Sequence, residues 1–208
     1  MKEEEEGKDD DIEVFKVVLV GESGVGKTSI IDRYVNDQFS EELKATSIAT
    51  YAGKKLTFKD SRNNEVLFEI WDTAGQEKYR AQSKMFYRDA SIIILVYDIT
   101  NDTSFEELKN FWIKDVKENA SEDVILGIAG NKSDLIEAQK VDEKTARSWA
   151  EEIDVTFFST SAAENNGISD LFYSLGEKLL QLGKKGEKKK KKIVLDEKKS
   201  EPKKKKCC

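Results

Sequence analysis

Between Gly21 and Thr28 the chain reads GESGVGKT, directly after the apolar run Val14-Phe15-Lys16-Val17-Val18-Leu19-Val20. Gly21 and Gly26 carry no Cβ, so the backbone can curl with successive N–H groups pointing inward around an anion such as a β-phosphate. The cradle so defined comprises Ser23, Gly24, Val25, Gly26, Lys27, Thr28 and Ser29. Lys27 adds a point charge for the outer phosphates, and the Thr28 hydroxyl can ligate Mg²⁺ where the next helix begins. Strand, glycine loop and helix in this order point to nucleotide binding.

A second cluster, WDTAGQ from Trp71 to Gln76, ends the run Val66-Leu67-Phe68-Glu69-Ile70. Asp72 at a strand end can face the cradle and hold Mg²⁺ through water. Gly75 has no side chain to keep its N–H from a γ-phosphate, and Gln76 can orient an attacking water. In isolation such a run is also a plain polar turn. A third cluster, NKSD from Asn131 to Asp134, follows the apolar Val124–Ala129. A carboxylate accepts two hydrogen bonds, and guanine offers two adjacent donors, N1–H and the 2-amine. Adenine would set a lone pair against Asp134, so selectivity arises by penalty. Asn131 can tie the loop to the cradle, and the Lys132 stem can cover the base. The backbone N–H of Ala162, in Thr160-Ser161-Ala162, can meet guanine O6. Taken alone, four residues such as NKSD are more often a surface turn; the order of the three clusters is what specifies.

These residues need a scaffold that brings them together. Strand-like segments occur at 14–20, 51–59, 65–71, 92–97, 124–129 and 155–159, with 51–59 and 65–71 joined as a hairpin through the turn-rich 60–64. Helices are predicted from Ser29 to Tyr34, about Ser104 to Lys117, and about Asp142 to Ile153. A last one places Ile168, Leu171, Phe172, Leu175, Leu179 and Leu182 on one apolar face. The alternation predicts an α/β fold: a doubly wound, mostly parallel six-stranded sheet with helices on both faces. Ligands in such sheets bind beyond the carboxyl ends of the strands, where every cluster above falls.

Of the 208 residues, 38% are hydrophobic and 37% charged, enough apolar content for one core. Much of the charge sits at the ends, with eight acids against two lysines over 1–13 and thirteen lysines against four acids over 183–208. The expected organisation is an acidic disordered extension (1–13), a nucleotide-binding domain (14–182) and a lysine-rich disordered tail (183–208). The domain itself is acidic, which argues against a nucleic-acid partner. MKEEEE has no apolar run, and Lys2 stands where myristoylation needs glycine, so neither a signal peptide nor N-terminal acylation is expected. No stretch approaches the ~20 apolar residues of a membrane span. Cys207 and Cys208 are the sole cysteines and, being adjacent, make a poor structural disulfide; a reducing cytosol fits.

From about residue 14 to 182 the chain resembles the Ras superfamily of small GTPases, and more narrowly the Rab family. The Rab cues are LFEIWDTAGQEKYR (Leu67 to Arg80), MFYRDA (Met85 to Ala90), LVYDIT (Leu95 to Thr100) and a two-cysteine terminus, with GES in the cradle pointing towards the endosomal Rabs. The resemblance implies a GTP/GDP switch used in vesicle trafficking. It implies Thr46 as the switch threonine that ligates Mg²⁺ together with Thr28 and Asp72, Phe39 as the aromatic at the guanine edge, and Tyr51, Trp71 and Phe86 as the aromatic triad facing effectors. Ordinary half-buried core packing is the competing account of those three.

Gln76 would align water for in-line attack. With no evident arginine finger in cis, turnover on the order of 10⁻⁴ to 10⁻³ s⁻¹ is expected until a GAP accelerates it. Two loops, about 36–50 and 74–88, would be ordered by the γ-phosphate. The resemblance further implies an exchange factor (GEF), a GDP-dissociation inhibitor, a prenylation escort protein, and geranylgeranyl groups on Cys207 and Cys208. The basic tail would add attraction to anionic lipid of about 1 kcal/mol per well-placed lysine, a simple solubilising or nuclear-import role being its alternative. The expected location is the cytoplasmic face of an intracellular membrane, with a soluble pool.

Three positions depart from the family pattern. Ile48 replaces a glycine after the switch threonine, Ala163 replaces the lysine of the usual SAK, and Asp89 replaces the glycine of YYRGA. If Ile48 distorts the first switch, a guanine-nucleotide-bound scaffold without hydrolysis is the alternative.

Overall fold

In strand β1 (Asp11–Val20), side chains alternate between two cores: Phe15, Val17 and Leu19 enter one, Val18 and Val20 the other. That double burial is why the strand reads as an almost unbroken apolar run. The computed structural model describes residues 11–42, 46, 49–58, 65–73 and 80–190, with backbone alone at 80–83 and 190. Ile48, the turn at 60–64, Gly75, Gln76, Cys207, Cys208 and the chain ends at 1–10 and 191–208 lie outside the described residues.

After β1 come helix α1 (Lys27–Asn36) and the hairpin β2 (Thr50–Thr57) and β3 (Glu65–Asp72), then α2 (Arg80–Tyr87) and β4 (Ile92–Asp98). Helices α3 (Asp102–Glu107) and α4 (Ile113–Asn119) flank a wide π-turn at Leu108–Trp112. Strand β5 (Ile125–Asn131), α5 (Glu143–Glu152), β6 (Thr156–Ser159), α6 (Ile168–Gln181) and a short β7 (Glu187–Lys190) complete the order. The sheet runs β2-β3-β1-β4-β5-β6, parallel except for β2 against β3. Helices α1 and α6 cover one face, and α2 to α5 the other. The doubly wound α/β architecture expected from the alternation is therefore present.

Both expected domain edges move outward. Strand β1 begins at Asp11 rather than after Glu13, because Ile12 and Val14 alternate inward to form a small third core with Leu67. The tail is not wholly irregular either. Residues Glu187–Lys190 form β7, antiparallel to β1, with Asp11 opposite Lys190 and Glu13 opposite Lys188. This adds a seventh strand, placed beside the part of β1 that β4 does not reach. At Glu13 and Lys188, opposite charges across an antiparallel pair are favourable, and Lys189 also donates to Glu69 at 2.7 Å. The terminal charge runs thus complement each other where they enter the sheet.

Two further differences are local. The segment expected as one helix from Ser104 is interrupted by the π-turn, which rotates Trp112 so that its indole N–H donates to Glu22 at 2.8 Å. Helix α2 occupies residues expected as part of a loop.

Asp89, found where the family pattern has glycine, sits in the left-handed region with φ 58° just after α2. Glycine is free of strain there, and aspartate is among the few other residues that tolerate it. Asp89→Gly should therefore leave stability unchanged or raised, while Asp89→Val should cost about 1–2 kcal/mol; thermal melts of the three proteins compare them.

Candidate functional site

Gly21 leaves β1 with φ 143°, and a Cβ there would stand 2.1 Å from the Val96 carbonyl oxygen on the neighbouring strand. The loop then turns through Gly24 and Gly26, both at positive φ, and Gly26 is the N-cap of α1. The first-turn N–H groups of α1 consequently face the loop mouth. Lys27 is buried, and its ammonium donates to the carbonyls of Gly21 and Glu22, each at 2.8 Å. Burial pushes its pKa down to about 8, partly offset by Asp72 and Glu22. Val25 takes part through its backbone alone, its side chain lying in the core.

At the end of β3, Thr28 donates to Asp72 Oδ2 at 2.7 Å, Thr46 donates to the same oxygen at 3.2 Å, and the two hydroxyls are 2.8 Å apart. Burial raises the Asp72 pKa, opposed by Thr28, Lys27 and Thr46. Its other oxygen, Oδ1, is buried without a hydrogen-bond partner among the described residues. Such an orphaned acceptor is costly unless a cation or its water meets it. Two hydroxyls and a carboxylate converging in this way form a hard oxygen set that fits Mg²⁺.

The base side is assembled from β5 and β6. Asn131 donates to the Val25 carbonyl at 2.9 Å and accepts from Thr160 at 3.3 Å, tying the NKSD loop to the cradle as the sequence suggested. Lys132 has φ 66°, and its ammonium pairs with Asp98 at 2.6 Å. Asp98 is itself buried and accepts from the backbone and hydroxyl of Thr100, both at 2.8 Å. Ser161 donates to Asp134 at 2.5 Å, aligning that carboxylate.

Phe39 stands half exposed at the rim, and with Ser23, Gly24, Gly26, Lys27, Thr28, Ser29, Thr46, Asn131, Lys132, Asp134, Ala162 and Ala163 it lines one cleft of about 500 Å³. Ser40, Glu41, Thr73 and Leu135 complete the wall. Ser161 lies fully buried beneath the cleft. Gly75 and Gln76 fall outside the described residues. Sequence reasoning missed Asp98 as the anchor of Lys132, although LVYDIT contains it, and it missed Arg33, whose partners lie far away in the chain.

Away from the cleft, Tyr51, Trp71 and Phe86 form a continuous aromatic face. Tyr51 and Trp71 are register partners with centroids 5.2 Å apart, and Trp71 to Phe86 is 5.9 Å. Tyr51 is 53% exposed, whereas Trp71 and Phe86 also pack partly against the core on the α2 side.

A glycine loop at the switch point of a doubly wound sheet, with the Thr28, Thr46 and Asp72 oxygens on one side and the Asp134 carboxylate on the other, defines a P-loop nucleotide-binding domain. The Ras family model matches residues 16–181. The Ras-related protein Rab-21 of Bos taurus is 40% identical over 174 residues, spanning 84% of this chain and 77% of that protein. The Ras-related protein RABF2a of Arabidopsis thaliana is 40% identical over 164 residues, 79% of this chain and 80% of its own. The chain belongs to the Ras family of small GTPases and is a Rab-related member of it.

A methyl group at Gly26 would meet the Asn131 amide nitrogen at 2.3 Å while holding φ 95°. The left-handed strain alone, about 1–2 kcal/mol, corresponds to about tenfold. Gly26→Ala should therefore weaken fluorescent GDP binding by at least about tenfold, with a thermal melt checking that the fold survives.

Proposed function

We propose that this chain is a membrane-anchored switch that binds GTP and GDP with Mg²⁺, hydrolyses GTP slowly and recruits effectors in vesicle trafficking. The observation that carries this reading is the convergence of three separated clusters on one cleft: the glycine loop, the Thr28-Thr46-Asp72 oxygens and the Asn131-Asp134-Ser161 group. Lys27 and the loop amides hold the phosphates, and Asp134, aligned by Ser161, accepts from guanine N1–H and the 2-amine. The amide of Ala162 meets O6, Lys132 covers the base under the hold of Asp98, and Phe39 closes its edge. Thr28, Thr46 and Asp72 would hold Mg²⁺, which would supply neutralisation of the charge that develops on the phosphates. Gly75 approaches the γ-phosphate and Gln76 aligns the attacking water.

Rab-family proteins act with exchange factors, GAPs and effectors. For this chain the aromatic face of Tyr51, Trp71 and Phe86 is the effector surface, Cys207 and Cys208 carry geranylgeranyl groups, and a GDP-dissociation inhibitor and an escort protein handle the lipidated form. The GES run of the glycine loop, a cue of the endosomal Rabs, supports the cytoplasmic face of an endosomal membrane as its location.

Fluorescent GDP and GTP, competed by ATP, should bind the full chain tightly and with guanine selectivity, and single-turnover phosphate release should be slow. Tight binding with no release would replace the switch by a nucleotide-bound scaffold. Gln76→Leu should lower hydrolysis at least about tenfold while leaving GDP affinity within twofold, because orienting the attacking water acts on the chemical step and not on the bound diphosphate. Mass spectrometry of the protein from its own cells should find two prenyl groups on the terminal cysteines; two free thiols would remove the lipid anchor from the reading.

A further inference from the structure

Arg33 lies in the last turn of α1, at the base end of the cleft rather than the phosphate end. Its Nε donates to the Ala162 carbonyl at 2.8 Å and one Nη to the Ala163 carbonyl at 3.3 Å. The other Nη donates to the backbone and side-chain oxygens of Asp37, at 3.1 and 3.0 Å. The guanidinium carbon stands 5.9 Å from the centre of the Phe39 ring. One planar group thus grips two walls, the loop after β6 and the corner leading from α1 to Phe39, which Asn165 joins at a second point by donating to Asp37 Oδ1 at 3.3 Å. Its side chain is only 15% exposed, and the bond to the Ala162 carbonyl is the partly desolvated, charge-assisted one.

The Ala162 N–H lies in the Ser161–Ala162 peptide, whose carbonyl accepts from the Asn166 backbone, so in a planar trans peptide it is turned to the opposite side, and Arg33 fixes the next peptide plane through the Ala162 carbonyl. The Ser161 and Asn166 backbones exchange two hydrogen bonds at 3.0 Å, which hold the other end of this loop. Ala163 has no long side chain of its own to brace the loop or cover the base, and Arg33 fills that need from a different element.

We infer that Arg33 is a positioning residue for recognition of the purine 6-keto group: it clasps the Ala162–Ala163 loop to the Asp37–Phe39 corner and thereby sets how fast the nucleotide leaves. The inference deepens the guanine-nucleotide reading and rests on it. A fork of donors is required, so lysine, with the same charge at a single point, replaces arginine only in part.

The full-length protein, loaded in turn with GDP, inosine diphosphate and 6-thioguanosine diphosphate, is chased with excess unlabelled GDP for wild type, Arg33→Met and Arg33→Lys. The thio analogue weakens only the acceptor at position 6, whereas inosine removes only the amine read by Asp134. Arg33→Met should release GDP about tenfold faster and bring the GDP to 6-thio-GDP ratio of release rates towards one, while the GDP to inosine diphosphate ratio stays as in wild type. Arg33→Lys should fall between, and it carries the test if the methionine variant does not fold. Release within twofold of wild type, or an equal change in both ratios, would overturn the inference and leave Arg33 a general stabiliser of the fold. A wild-type chain that takes up no GDP would instead overturn the guanine reading, and this inference with it.

Discussion

The hydrogen bond from Asn131 to the Val25 carbonyl joins residues 106 positions apart, and it is buried. On it depends the relation between the glycine-loop half of the cleft and the half built from the ends of β5 and β6. Neither loop could be placed accurately by its own turn. The bond fixes the end of β5 against the glycine loop, and Gly26 leaves just enough room for the amide to enter. A buried donor that loses its partner costs about 1–3 kcal/mol, so the two halves hold or fail together. Thr160 extends the link to β6 by donating to the same side chain. Through two amide groups and a hydroxyl, three strand ends become one site.

The rest of the fold keeps those ends in register. Five of the strands run in one direction, so their carboxyl ends lie at one pole, and strand order reverses around β1, where the crevice opens. Two main cores, one on each sheet face, bury β4 completely and β1 from Val17 to Val20, which pins their register. Charged groups enter this interior only where another group meets them or where the site has use for them. Lys27 and Asp72 partly compensate each other's burial, and Asp98 balances Lys132. Among the described residues Asp72 Oδ1 is a buried carboxylate oxygen without a hydrogen-bond partner, beside the hydroxyls of Thr28 and Thr46.

Much of this was legible in the sequence because the signals are local. An unbroken apolar run means a strand buried on both faces, and a glycine loop before a helix means an anion cradle; both are short-range statements. The two cores and the lining of the cleft follow from them. What could not be read is long-range or weakly patterned. The partners of Arg33 lie 129 and 130 positions away, and the π-turn before Trp112 leaves no mark in hydrophobic spacing. Strand β7, EKKK, has neither β-branched residues nor alternation; it is a strand because β1 offers a free ladder beyond the reach of β4. Helix α2, RAQSKMFY, begins without an N-cap signal that would separate it from a loop.

Strand β7 runs antiparallel to β1 and ends opposite Asp11, so the chain beyond Lys190 departs from the pole farthest from the glycine loop. The ten residues of β1 separate the two by about 30 Å. Hydrogen bonds of an antiparallel ladder lie across the strands, so a tension applied along the strand loads all four paired positions in shear rather than peeling them one at a time. The sheet then serves as a mechanical mount. A tension applied at Lys190 therefore loads the domain at the pole opposite the glycine loop.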